Sequence, residues 1–150
     1  MFMIFAGVAL VILLVYQLLA IPHRYSLDYG EAPLVDQAMR LAAGQNYAAS
    51  QSTLGWMYAE GKGVARDDAE AVKWFRKAAQ QNYASAQNQL GLMYEQGRGV
   101  PQDLVQAAEW YRKAADQGNP LAQYAMGCLY QSGRGVPTNI TEALRWWHKA

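Results

Sequence analysis

The sequence predicts an all-α protein: a right-handed superhelix of stacked helical hairpins behind an N-terminal transmembrane helix. Three observations predict it. Residues 1–21 form an apolar run without a charge, and a glycine and aromatic motif returns every 36 residues, from Leu54 to Leu90 to Met126. Each copy also carries helix-start and helix-stop signals at fixed places. A period of this size marks a solenoid, in which each unit buries its apolar face against the next.

The first element is the apolar run MFMIFAGVALVILLVYQLLAI, whose one strongly polar side chain is Gln17. As a helix rising about 1.5 Å per residue it covers roughly 30 Å, the hydrocarbon thickness of a bilayer. Pro22 ends it, and His23, Arg24 and Tyr25 suit the interface. A cleaved signal peptide fits less well, because no basic residue precedes the run and Leu18-Leu19-Ala20 is a poor cleavage site. Arg24 leans towards a cytoplasmic repeat domain, but one arginine leaves the membrane side open. Residues 22–33, with two prolines and a glycine, read as a linker.

Three units follow, over residues 48–83, 84–119 and 120–150. Leu54-Gly55-Trp56-Met57-Tyr58 returns as Leu90-Gly91-Leu92-Met93-Tyr94 and as Met126-Gly127-Cys128-Leu129-Tyr130. Gly61 and Gly63, Gly97 and Gly99, and Gly133 and Gly135 keep step, as do Trp74, Trp110 and Trp146. Asp67 with Glu70, Asp103 with Gln106 and Asn139 with Glu142 have capping-box spacing and start each second helix. Asn46, Asn82 and Gly118 stand where that helix ends; both residue types tolerate the left-handed stop conformation. Residues 34–47 match only a second helix and read as a half-repeat capping the stack. The last copy stops inside its second helix, so Trp146 and Trp147 are expected to be poorly covered.

The run L-G-x-x-Y, then G-x-G-V, then Asp, Ala, Trp and K-A-A at fixed offsets resembles Sel1-like repeats, helical hairpins akin to tetratricopeptide repeats. The tetratricopeptide pattern places Trp three residues before the Leu; here Gln51, Gln87 and Gln123 stand there. The resemblance implies a non-enzymatic scaffold that tethers or assembles other proteins. Some Sel1-like proteins are described as β-lactamase-like, but those are cysteine-rich, and this chain has Cys128 alone.

The residues themselves argue against several other chemistries. A formal net charge of +1 excludes an electrostatic nucleic-acid binder. One cysteine forms no intramolecular disulfide, and with two histidines, His23 and His148, no metal or cofactor site is expected. Glu60-Gly61-Lys62-Gly63-Val64 suggests a phosphate loop at first sight. Such loops follow a strand, however, and this one follows a helix and recurs. It is read as the hinge of the hairpin, with Lys62, Arg98 and Arg134 pointing into water. The pair Asp67-Asp68 reads as structural, not as paired catalytic carboxylates, since Asp67 is in the cap register and Asp68 becomes Leu104 and Ile140. The Trp-aromatic pairs such as Trp74-Phe75 read as core.

Positions that break the repeat are read as free for recognition. On the first helix, Ala49, Ser52, Thr53, Trp56, Ala59 and Glu60 share an arc. There Ser52 becomes Asn88 and Tyr124, Thr53 becomes Gln89 and Ala125, and Trp56 becomes Leu92 and Cys128. The expected partner-binding set is Ser52, Thr53, Trp56, Asn88, Gln89, Leu92, Tyr124 and Cys128, with Trp56, Leu92 and Tyr124 as anchors for a protein segment.

The expectation is a single-pass protein of the plasma (bacterial inner) membrane. It would touch lipid through residues 1–21, bind a protein subunit of a membrane complex, and have no small-molecule substrate. Two alternatives remain: an accessory envelope enzyme, β-lactamase-like or polysaccharide-related, with active residues outside this stretch, and a structural subunit held mainly by its membrane helix. So short a stack is expected to be marginally stable and to gain from binding.

Overall fold

The computed structural model describes residues 40–41, 43–44 and 47–150. The expected anchor (1–21) and linker (22–33) lie outside the described residues. Among the described residues, no helix is long and apolar enough to cross a membrane.

Those residues form an all-α solenoid. Its helices are α1 (Ala48–Glu60), α2 (Asp68–Gln80), α3 (Ala84–Gln96), α4 (Leu104–Asp116), α5 (Pro120–Ser132) and α6 (Ile140–Trp147), each packed chiefly on its neighbour in the chain. The second helices start as the capping spacing predicts. Asp67 accepts from the backbone N–H of Ala69 and Glu70, and Asp103 from those of Val105 and Gln106, all at 3.0 Å. Asn139 accepts from Glu142 N–H at 3.1 Å. Each bond satisfies a donor that the first turn leaves unpaired. Asn82 (φ 62°) and Gly118 (φ 84°) take the left-handed conformation just past α2 and α4.

The glycine hinges do two jobs. Gly97 (φ 67°) ends α3, and its N–H and that of Arg98 both return to the Met93 carbonyl. Gly99 (φ 68°) lies against the start of α2, where a Cβ would stand 2.1 Å from the Asp68 carbonyl oxygen. Gly135 meets the Leu104 carbonyl in the same way. The hinge of each later hairpin is thus seated on the second helix of the one before.

Inside each hairpin, the glycine of the Leu-Gly motif receives the second residue of the Trp-aromatic pair. A Cβ on Gly55 would lie 2.8 Å from the Phe75 ring, and one on Gly91 would lie 2.8 Å from Tyr111. Leu54, Leu90 and Met126, fully buried, fill the layer beside them.

Two polar ladders join successive hairpins. Gln51 donates to the Ala43 carbonyl, Gln87 to Ala79 and Gln123 to Ala115, at 3.0, 3.2 and 3.1 Å. The Ala79 and Ala115 carbonyls lie at the ends of α2 and α4, where each also accepts a turn N–H, from Asn82 and Gly118, both at 3.0 Å. Gln81 and Gln117 donate in turn to Gln51 and Gln87, both at 2.6 Å. The second ladder runs from Arg40 to Tyr58, Arg76 to Tyr94 and Arg112 to Tyr130, each guanidinium donating to the phenol of the next hairpin.

Three expectations are corrected. Trp146 is 6% exposed, because α6 folds across α5 and seats the ring in the core with Met126 and Leu129. Arg98 does not point into water: it donates to Asp68 at 2.8 Å and to the Ala59 carbonyl at 2.9 Å. Arg134 pairs with Glu95 at 3.2 Å. Gly99 and Gly135 bring these side chains onto the preceding hairpin, within reach of its acids. Asp68 is accordingly an ion-pair residue, while Asp67 alone caps the helix.

Candidate functional site

The first helices, α1, α3 and α5, present the candidate surface. On α1 the buried arc takes in Gln51, Ser52, Leu54, Gly55, Met57, Tyr58 and Ala59. At about 100° per residue this exceeds half of the circumference. The helix has both its own hairpin partner and the next hairpin to pack against, so the open strip is narrower than an even division predicts. It contains Ala49, Thr53, Trp56 and Glu60, spaced four, three and four apart.

The expected residues therefore divide. Trp56 (39% exposed) and Tyr124 (61% exposed) stand out from the surface. Thr53, Gln89, Leu92 and Cys128 are half-buried, and Leu92 also packs on the second core cluster, so it supports the fold as well as the strip. Ser52 (8% exposed) and Asn88 (9% exposed) are buried, which removes them from the open surface.

Ser52, Thr53 and Trp56 nevertheless come together with Tyr83, Ser85 and Gln89 around a groove of about 200 Å³ between the first two hairpins. Phe75 and Ala49 complete its wall. The Lys62 ammonium sits 4.3 Å from the Trp56 ring centroid and covers that ring from the hinge, a cation–π contact. The Thr53 hydroxyl donates to the Ala49 carbonyl at 3.0 Å. Tyr83, Ser85 and the 68%-exposed Leu121 escaped the sequence reading. Two of them left a trace in it, since Ala49, Ser85 and Leu121 occupy one non-repeating register.

The marked electrostatics lie at the joints, away from this groove. Hydrogen bonds from Arg98 first, then from Arg66, hold the Asp68 carboxyl down at about 2. Burial first, and then the hydrogen bond to Glu95 (2.8 Å), push the Tyr111 phenol well above its usual range. Among the described residues, no three His, Cys, Asp or Glu side chains are grouped to hold a metal ion.

The comparisons agree with this geometry. The Sel1 repeat family matches residues 48–83, 84–119 and 120–150. A protective antigen of uropathogenic Escherichia coli with an SLR fold superposes with a TM-score of 0.77 at 38% identity, covering 81% of this chain and 26% of that one. A Sel1 repeat protein of Oxalobacter formigenes superposes at 0.71 with 40% identity, covering 76% of this chain and 47% of its own. The chain thus spans about a quarter and about half of these two proteins. Cysteine-rich protein B of Helicobacter pylori shares the fold, with a TM-score of 0.61 at 24% identity over 77% of this chain and 87% of that one. A search of curated proteins gives no match. Three consecutive matched repeats and the hairpin geometry settle the family: the chain belongs to the Sel1 repeat family.

Proposed function

We propose that this protein is a non-enzymatic scaffold, held at a bacterial inner membrane by residues 1–21, that binds a protein subunit of a membrane complex. In a right-handed superhelix the first helices line the concave side, which offers an extended surface to a partner. The observation that carries the reading is the strip on α1, α3 and α5. It has no stacking duty at Trp56 and Tyr124, yet it places these large side chains in the open. Exposed aromatics beside a polar rim are the residues on which protein affinity usually concentrates. The anchor would act by restricting the search to the membrane plane and raising the effective concentration of a nearby partner.

Photocrosslinking in native membranes tests this reading. A crosslinker at Thr53 yields a defined protein adduct, and one at Lys73 on α2 does not. Trp56→Ala with Tyr124→Ala lowers recovery of that adduct about tenfold or more, with helicity unchanged. Equal adducts from both sites, or recovery indifferent to the two substitutions, would refute it. Deleting residues 1–21 leaves the scaffold's affinity for its partner intact in solution, whereas a subunit held by its membrane helix loses it.

A further inference from the structure

We infer that the groove between α1 and α3 receives one apolar side chain of an uncharged, extended polypeptide segment. This inference rests on the reading of the first-helix face as the partner surface and adds the chemistry of the partner. The observation behind it is a sorting of charge. The chain is 17% charged, yet the only charged residues in α1, α3 and α5 are Glu60 and Glu95. Glu95 is occupied by Tyr111 and Arg134. Glu60 is the last residue of α1, one turn from the groove. The second helices carry the charge instead, with Lys73, Arg76 and Lys77 on α2 and Glu109, Arg112 and Lys113 on α4.

A charged segment laid along the strip would lose water, which is costly, and Lys62, the cation beside the groove, is already engaged over the Trp56 ring. A neutral segment has no such penalty. The groove's size narrows the occupant further. At about 200 Å³ it falls below the roughly 300–1,000 Å³ of small-molecule pockets and holds a single side chain. Around it stand groups suited to a peptide backbone. The Gln89 amide makes no hydrogen bond among the described residues and can both donate and accept. The Thr53 hydroxyl hydrogen is committed to Ala49, so its oxygen faces the groove as an acceptor for an N–H. A neutral glycan fits less well, because Lys62 already covers the Trp56 ring that would have to stack on a sugar.

The test uses the full 150-residue chain. Its probes are arrayed short peptides from strongly acidic through neutral to strongly basic, and an array of neutral oligosaccharides. Neutral peptides with one aromatic or branched aliphatic residue are expected to bind best. Their Kd should change less than about twofold between roughly 0.05 and 0.5 M salt, because no ion pair is there to be screened. Trp56→Ala and Gln89→Ala each weaken binding about tenfold, while Gln80→Ala on α2 does not, with circular dichroism confirming helicity in all three. Preferred binding of charged peptides that fades with salt but still depends on Trp56 would overturn the neutral partner and keep the surface. Preference for oligosaccharides would overturn the polypeptide. Peptide binding indifferent to Trp56 and Gln89, or no binding to either array, would overturn both the inference and the surface on which it rests.

Discussion

Gln87→Leu should destabilise the protein more than the substitution of an exposed glutamine does. Gln87 is 2% exposed and makes three hydrogen bonds: its amide donates to the Ala79 carbonyl at 3.2 Å and to Asn82 Oδ1 at 3.1 Å, and its oxygen accepts from Gln117 at 2.6 Å. Leucine nearly conserves the volume, so the cavity contribution is small and the effect isolates the polar ladder. The Ala79 carbonyl keeps the Asn82 backbone N–H at 3.0 Å but loses its side-chain donor, a net hydrogen-bond contribution of about 0.5–1.5 kcal/mol. Asn82 and Gln117 are exposed enough to turn to water and add little. The expected loss is about 1 kcal/mol, or a fall in melting temperature of roughly 4–8 °C for a domain of about a hundred residues. Thermal and urea melts followed by circular dichroism measure it, with exposed Gln96→Leu as the control, expected within about 0.5 kcal/mol of the parent. A Gln87→Leu protein as stable as the Gln96→Leu control would refute the ladder as a determinant of stacking.

Gly91→Ala should also destabilise, although alanine is the better helix former by about 1 kcal/mol. The new methyl would lie 2.8 Å from the Tyr111 ring, and overpacking of this kind costs about 1–3 kcal/mol, so urea denaturation should show a net loss near 1 kcal/mol. Asp68→Asn should cost about 1 kcal/mol at neutral pH, since its pair with Arg98 is partly exposed. The folded carboxyl at about 2 lies below its unfolded value near 4, so this stability is complete above the unfolded value and disappears as pH falls through about 2. Melts of parent and variant should therefore converge across that acid window, and a constant gap would contradict the assignment.

Much of the fold was legible because stacking repeats its own chemistry. Asp67, Asp103 and Asn139 cap helices at the spacing that the sequence displays, and Asn82 and Gly118 stop them. The glutamines at 51, 87 and 123 were visible as a departure from the tetratricopeptide pattern, but their role was not. It depends on a carbonyl eight residues back that only the stacking of successive hairpins brings into reach. The glycine of the Leu-Gly motif is a similar case, explained only by the ring that lies on it. In the candidate site, Trp56 and Tyr124 were found from the broken repeat. The burial of Ser52 and Asn88 was not, because the pattern of one helix does not show how many neighbours flank it.

Broken periodicity has in fact two meanings, and the joints separate them. Ala59 becomes Glu95 one repeat later, and Asp68 becomes Leu104. Taken singly, each looks like a tolerant position. Taken together they compensate: Arg98 reaches Asp68 across the first joint, and Arg134, with leucine where that acid stood, reaches Glu95 across the second. An arginine–acid pair across the joint is kept each time while the acid moves from the second helix to the first. The register of Thr53 and Gln89 behaves differently. The Thr53 hydroxyl bonds only within its own turn, and the Gln89 side chain makes no hydrogen bond among the described residues, so neither change is answered by another at a joint. A position outside the repeat is therefore free for recognition only where no second change offsets it. By that criterion residues 59 and 68 belong to the stack, and the groove beside Trp56 remains the place open to the proposed partner.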